Sequence, residues 1–374
     1  MFKKKVKLLL ILCTSSLLSG CWDQEPLREA SLAYSIGADI TGENKLQQTI
    51  ELVKSSSGEQ SSFENEIYSA TGHNIMDTSD ALKKNATGNI RYFKYGVQLL
   101  GTKLLKKGIL PYLDVSFRDP TNPTALVKLI AVDGESSEIL KKKKIGNLLI
   151  GDFLNKKVKS LEDMSVFPKE TLETAATKML DPGKDFTLPS IKIKGKEVIT
   201  NGLALFNNDK LTGHLPLKQS VLFVLLTGKM GRNARITQKL TSDESEKTSD
   251  YLTVEISDRK LKRDLKITTD EKGNVYAHIK LQLKVIALES PRDNLYTMDD
   301  REKLNKELSK QLTKEAKKIT RKLQKANCDA FGIGRHLIAY HPDLWKKKNW
   351  NKDYAKVKFK PEVEVSILYS GVLK

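Results

Sequence analysis

The chain has 374 residues, 39% hydrophobic and 29% charged, with 22 glycines and 11 prolines; that fills about two or three domains and excludes a collagen-like repeat or wholesale disorder. A formal net charge of +18 favours an anionic neighbour such as lipid headgroups, wall polymers or nucleic acid. Of the three cysteines, Cys13 and Cys21 lie in or beside a leader segment, so Cys328 stands alone and no internal disulfide is expected.

The leader has three parts in the order of an export signal: Lys3, Lys4, Lys5 and Lys7, an apolar run over 8–18, and the small-residue site Leu18-Ser19-Gly20-Cys21. An apolar run of about a dozen residues cannot span a bilayer, which takes about 20. Leu-Ser-Gly-Cys also fits the bacterial lipobox, whose cysteine thiol becomes a thioether to diacylglycerol before the preceding bond is cut. Residues 1–20 are therefore expected to be removed and Cys21 to be the lipid-attachment residue, with acyl chains contributing roughly 0.8 kcal/mol per buried methylene. Loss of four leader lysines leaves +14 on the body. An exported body does not normally meet nucleic acid, which leaves lipid headgroups and wall polymers as the expected anionic neighbours. The most apolar later stretch, 221–226, is far too short to cross a membrane.

After Cys21, alternating Leu32, Tyr34 and Ile36, a Thr41-Gly42-Glu43-Asn44 turn and a return over 48–53 predict a hairpin. A polar loop over 55–62 follows. Ile75, Leu82 and Ala86 predict a helix; Leu104, Leu105, Ile109, Leu113 and Phe117 predict a second, bent or split at Pro111. Strands are expected over 92–100 and 126–132, and a helix from Pro168 to Met179, stopped by Asp181-Pro182-Gly183. The polar run 185–197, broken by Leu188-Pro189-Ser190 though Ile191 and Ile193 allow a short strand, sets the expected boundary between an N-terminal α/β region, 21–195, of one or two subdomains, and a C-terminal α+β domain, 196–374.

Beyond it come a hairpin turning at Asn207-Asn208-Asp209-Lys210, a helix from Pro216 to Gly228, and a polar stretch over 232–250. A long antiparallel pair then follows, whose second strand alternates from Val275 to Val285. A basic helix over 297–326, with Leu304, Leu308, Leu312, Ile319 and Leu323 as its apolar stripe, should lie across that sheet. The last alternating strand runs from Val357 to Tyr369, with Pro361 marking an edge. The fold class expected is multidomain α+β, with mixed and antiparallel sheets and helices packed on them.

The lipobox runs directly into Trp22-Asp23. Further blocks are Tyr95-Gly96-Val97-Gln98-Leu99-Leu100-Gly101, Leu113-Asp114-Val115-Ser116-Phe117-Arg118-Asp119, Gly202-Leu203-Ala204-Leu205-Phe206 and Lys210-Leu211-Thr212-Gly213. Closest of all are Cys328-Asp329-Ala330-Phe331-Gly332-Ile333-Gly334, His341-Pro342-Asp343-Leu344-Trp345 and Trp350. In order and spacing these blocks resemble the Ger(x)C lipoproteins, the C subunits of nutrient germinant receptors in endospore-forming bacteria. The sequence departs at Lys94, where a histidine is often found, and at Gln24-Glu25-Pro26-Leu27, where an acidic-leucine pair is usual. The resemblance implies a multidomain α+β subunit on the outer surface of the spore inner membrane. It also implies two integral-membrane partner subunits, a part in nutrient-triggered germination and no catalysis.

Chemistry is sparse elsewhere. His73, His214, His278, His336 and His341 are scattered, and a five-residue step does not put the last two on one helix face, so no metal site is expected. Gly332-Ile333-Gly334 lacks a third glycine for a dinucleotide loop and reads as a turn or close helix approach. Glu162/Asp163 and Asp299/Asp300 are expected at helix starts, complementing the dipole. Trp345 and Trp350, beside Lys346, Lys347 and Lys348, read as core and rim packing ahead of a membrane or partner contact. No catalytic residue and no cofactor is assigned. The rival from another class, a free-standing solute-binding lipoprotein capturing a small nutrient, needs two doubly wound lobes, which the second half does not suggest. A wall-active hydrolase lacks any acid/base constellation.

Overall fold

A computed structural model describes residues 30–55, 63–92, 94–118, 124–240, 247, 250–257, 260–290 and 297–369. Cys21, the leader and the loop expected over 55–62, save Ser55, lie outside them.

The chain opens as a meander, β1 (Ala30–Ile40), β2 (Leu46–Ser55) and β3 (Phe63–Gly72), antiparallel throughout and turning first at 41–45 as expected. Helix α1 (Ile75–Asn85) starts where the Asn74 side chain accepts the Asp77 N–H at 2.9 Å. Two strands then join β1 in parallel, β4 (Asn89–Arg91) and β5 (Val97–Gly101). The strand expected over 92–100 thus begins only at Val97. Helices α2 (Thr102–Lys107) and α3 (Leu110–Arg118) divide the second expected helix. The break is made by Gly108, at φ 120°. Pro111 sits in the first turn of α3, where its missing N–H has no helical partner to lose.

Next come β6 (Lys128–Val132), α4 (Ser136–Leu140), the two-residue strands β7 (Lys144–Ile145) and β8 (Leu148–Leu149), and α5 (Ile150–Asp163). Buried carboxylates tie these helices to the sheet. Asp39 accepts the N–H groups of Ser136 and Ser137 at 2.8 and 3.0 Å. Glu51 accepts the Gly151 N–H at 2.9 Å, together with Ser35 Oγ and Asn65 Nδ2. Helix α6 (Leu172–Leu180) starts at a Thr171 capping box, four residues after Pro168, and stops where expected.

The polar run 185–197 holds strand β9 (Thr187–Lys194), longer than the short strand Ile191 and Ile193 allowed; it pairs along eight residues with β10 (Glu197–Asn207), itself in a hairpin with β11 (Lys210–Pro216). One sheet therefore runs through position 195/196, in the order β11-β10-β9-β6-β5-β1-β2-β3 with β4 also on β1. Its inner pairings, β9 to β6, β6 to β5 and β5 to β1, are parallel, and its flanks antiparallel. Both faces are covered, so neighbouring residues serve opposite cores: Leu99, Ile130, Leu203 and Leu205 on one side, Leu100, Leu129, Ala204 and Phe206 on the other.

Helix α7 (Leu217–Thr227) leads to the second sheet, with Pro216 before it and left-handed Gly228 after it as expected. That sheet holds β12 (Asn233–Lys239), which falls inside the polar stretch over 232–250, then β13 (Tyr251–Ser257), β14 (Leu261–Thr269) and β15 (Val275–Glu289). The long helix α8 (Met298–Lys325) crosses to α9 (Ile333–Tyr340), α10 (Pro342–Lys346), α11 (Trp350–Asp353) and β16 (Lys358–Tyr369), which pairs parallel to β15. The β15 residues Val275 to Ala287 alternate buried and half-exposed, and α8 lays Leu308, Leu312, Ala316, Ile319 and Leu323 on the buried side.

Strand β16 pairs only with β15 among the described strands, making it the edge its proline implied. Three of its outward N–H groups are taken by α8. Val363, Val365 and Ile367 donate to Thr313 Oγ1, Ser309 Oγ and Asn305 Oδ1 at 2.9, 2.9 and 2.8 Å. Four helical residues rise about 6 Å and two strand residues about 6.6 Å, so an i, i+4, i+8 polar stripe keeps step with alternate strand amides. One core runs from Val97 in the first sheet to Ile367 in the second.

Candidate functional site at the seam between the sheets

The segment after α8 carries the densest motif, and it is folded against the loop ahead of β9. The seam is partly main chain: Asp185 N–H donates to Asp329 O at 2.9 Å and Arg335 N–H to Gly183 O at 2.8 Å. Two carboxylates complete it. Asp185 accepts the N–H groups of Asn208 and Asp329, both at 2.7 Å. Asp329, 1% exposed, accepts Ile333 N–H on Oδ1 at 2.9 Å, and Gly334 N–H and Trp350 Nε1–H on Oδ2 at 2.7 and 3.1 Å. It thereby caps α9, whose N-cap residue Gly332, at φ 73°, offers no side chain.

Burial pushes Asp329 up to about 7 even though three N–H groups favour its charged form. Burial also raises Asp185. The Cys328 thiol is fully buried and raised well above its ordinary value, first by burial and then by Asp185, so it is no ready nucleophile. Gly334 is required by the packing: a Cβ there would stand 2.6 Å from Trp350 Nε1 and 2.7 Å from Gly183 Cα. The close helix approach expected of Gly332-Ile333-Gly334 is therefore present. Trp350 stacks obliquely on Trp345 (5.6 Å) and edge-on to buried Tyr354 (5.8 Å), which is core and rim packing. What this arrangement does chemically is hold two sheets together. Its carboxylate oxygens are occupied by N–H donors, so no base faces a substrate.

Other residues singled out in the sequence are dispersed. His336 and His341 approach to 6.2 Å between ring centres, but His336 stacks on Tyr340. His73 meets Asp77 at 3.1 Å. Among the described residues no group of His, Cys, Asp or Glu is placed to hold a metal. Asp299 and Asp300 lie in the first turn of α8 as expected, with Thr297 Oγ1 capping Asp300 N–H at 3.1 Å. Glu162 and Asp163 do not open a helix; they end α5. Glu162 is buried against Lys128 Nζ at 2.8 Å, because it points inward from the helix end while Lys128 opens β6 beneath it. No described helix is long and apolar enough to cross a membrane. Sequence reasoning missed the partnership of Asp185 with the Asp329 loop, since the Asp185 carboxylate accepts a main-chain N–H 144 residues away; the hint was an acidic residue inside the densest motif.

Two family models match the chain in tandem. Residues 23–193 match "Spore germination protein N-terminal domain" and residues 201–371 match "Spore germination B3/ GerAC like, C-terminal". The chain is 25% identical to spore germination protein GerQC of Bacillus cereus over 366 residues, covering 97% of this chain and 98% of the other. It is 22% identical to spore germination protein KC of Bacillus subtilis strain 168 over 402 residues, covering 98% and 94%. The crystal structure of the GerBC protein superposes with a TM-score of 0.55 at 19% identity, over 89% of this chain and 96% of that one, a likeness of fold.

Proposed function

The chain belongs to the Ger(x)C family of germinant receptor subunits, and from that premise we propose that it is the lipid-anchored subunit of a nutrient germinant receptor on the outer surface of the spore inner membrane, acting by docking and not by catalysis. The observation that carries this reading is the lipobox cysteine, Cys21, two residues ahead of the first position the family model matches. Eight residues separate it from β1, a tether of at most about 30 Å. Confinement at that range raises the effective concentration of the body for partners in the same membrane, so individually weak contacts suffice for assembly with two integral-membrane subunits.

The surface of α8 supports the same reading. Lys303, Lys306, Lys310, Lys314, Lys317, Lys318, Arg321 and Lys325 are exposed, opposite the buried stripe. Such a row is drawn to anionic lipid by about 1 kcal/mol per residue near the surface, and less as salt rises. The single core joining both sheets gives no support to two lobes closing on a nutrient.

Cys21→Ala tests the anchor. The variant protein is expected in the soluble fraction after membrane flotation, with the partner subunits no longer co-purifying and nutrient-triggered germination lost. A variant that stays in the membrane fraction and supports full germination overturns the reading.

A further inference from the structure

Beside the seam lies a small cavity of about 90 Å³ whose lining includes Lys178, Lys184, Lys229 and Arg263. These cations come from four separate elements: α6, the loop before β9, the loop after α7, and β14. Among the described residues two carboxylates line the cavity with them, and both are engaged. Glu170 is ion-paired with Lys178 and accepts from Thr174 Oγ1, while Asp185 holds the two main-chain N–H groups of the seam.

Lys184, Lys229 and Arg263 have no carboxylate within ion-pairing distance among the described residues; the Arg263 guanidinium donates from Nε to Leu226 O at 3.1 Å. Burial, then Lys229 and Lys178, disfavour the charge on Lys184, and burial disfavours that on Arg263. Lys184 and Arg263 are half-buried behind a partly apolar wall with exposed Lys229 beside them, and like charges so placed raise one another's energy unless something negative stands between them. Asp329 and Glu170 offset part of this at Lys184, and Asp264 at Arg263, but neither Asp329 nor Asp264 lines the cavity.

We propose that this cavity is a binding site for a small dianionic oxyanion of the phosphate class, held by Lys184, Lys229 and Arg263. Four cations and two carboxylates line the cavity, an excess of positive charge that such an ion offsets. A cavity of this volume takes one tetrahedral oxyanion with a few waters and is too small for a nucleotide. Arg263 presents a planar fork suited to two oxygens, and the lysines supply point charges. The inference is independent of the receptor role, since it rests on the cavity alone. The phosphate group has two possible sources, a free ion or the phosphomonoester headgroup of a lipid.

The test uses the full-length protein in detergent micelles. Sodium phosphate is titrated at constant ionic strength against sodium chloride, with thermal unfolding and calorimetry as readouts, and a second arm, on the full chain carrying Cys21→Ala and without detergent, measures flotation with phosphatidic acid vesicles against phosphatidylcholine vesicles. Phosphate is expected to raise the unfolding midpoint by several degrees at saturation, with chloride inert. Lys184→Gln and Arg263→Gln should each weaken binding about tenfold or more, while Lys262→Gln, exposed one position away, should leave it unchanged. Flotation with phosphatidic acid that Lys184→Gln abolishes, without a response to free phosphate, would also support the site and assign its ion to a headgroup. A phosphate response of equal size in wild type, Lys184→Gln and Arg263→Gln overturns the proposal, as does the absence of any response in both arms. Because the readout is the ligand-induced shift, altered stability of a variant alone does not obscure it.

Discussion

Replacing Asp329 by asparagine turns its burial into a measurable pH dependence. Asparagine stands in for the protonated carboxyl, with the same shape, one acceptor oxygen and no charge at any pH. In the wild type, the stability that the protonated Asp329 confers is fully present below its ordinary value of 3.8 and is lost as pH rises toward the folded value of about 7. Over that window the unfolded chain gains by ionising while the buried group cannot follow. Each pH unit therefore costs about 1.4 kcal/mol, roughly 4 kcal/mol in all, and the loss levels off above about 7. The variant lacks this term, so the difference in unfolding free energy between Asp329→Asn and wild type should widen in the variant's favour from pH 4 to 7 and then stay level. A constant offset of about 1–3 kcal/mol, set by the N–H that the amide's own NH₂ now faces, shifts the whole curve without changing its slope. Asp185 is also raised by burial, but it is present in both proteins and its effect largely cancels in the difference. Urea unfolding at each pH supplies the curve. A difference that is flat with pH would mean that the donors Ile333, Gly334 and Trp350 outweigh burial, so that Asp329 ionises as an ordinary aspartate.

Gly334→Ala should destabilise the chain by about 1–3 kcal/mol in the same assay, because the new methyl meets the Gly183 backbone and the Trp350 ring. Lys128→Ala should cost about 3 kcal/mol by stranding buried Glu162, and the double change Lys128→Met with Glu162→Leu should recover most of it in a thermal melt. Thr313→Val preserves shape but removes the acceptor of the Val363 N–H; about 1–2 kcal/mol should be lost in chemical denaturation, with faster amide exchange at Val363.

Much of the fold was legible where periodicity and a terminator coincide. The hairpin at 41–45, the helix between Pro216 and Gly228, and the β15-α8-β16 succession all pair a clean period of two or 3.6 with a turn or capping residue. Elsewhere a stronger local signal hid the element. In β9, Leu188-Pro189-Ser190 reads as a break, yet the β6 ladder engages only Ser190 and Ile191, so the proline's missing N–H falls outside it. In α5, Ile150, Leu154 and Val158 keep a four-residue step, but Lys156, Lys157 and Lys159 among them give the look of a charge run. The seam could be seen only as a motif. Its long-range bonds run from main-chain N–H groups to Asp185 oxygens or to carbonyls far away in sequence, and no residue pattern records such partners. The basic cavity was equally hidden, since its four cations are spread from position 178 to 263.

The stripe of Asn305, Ser309 and Thr313 has a consequence for how this protein can meet others. Proteins that dock by adding a strand to a neighbour's sheet need a flank whose main-chain donors are still available. Along β16 the outward amides of Val363, Val365 and Ile367 are already bound by the helix lying over them. A visiting strand would find no ladder to extend there, and any partner on that flank must recognise it through side chains, foremost the lysines that the same helix turns outward.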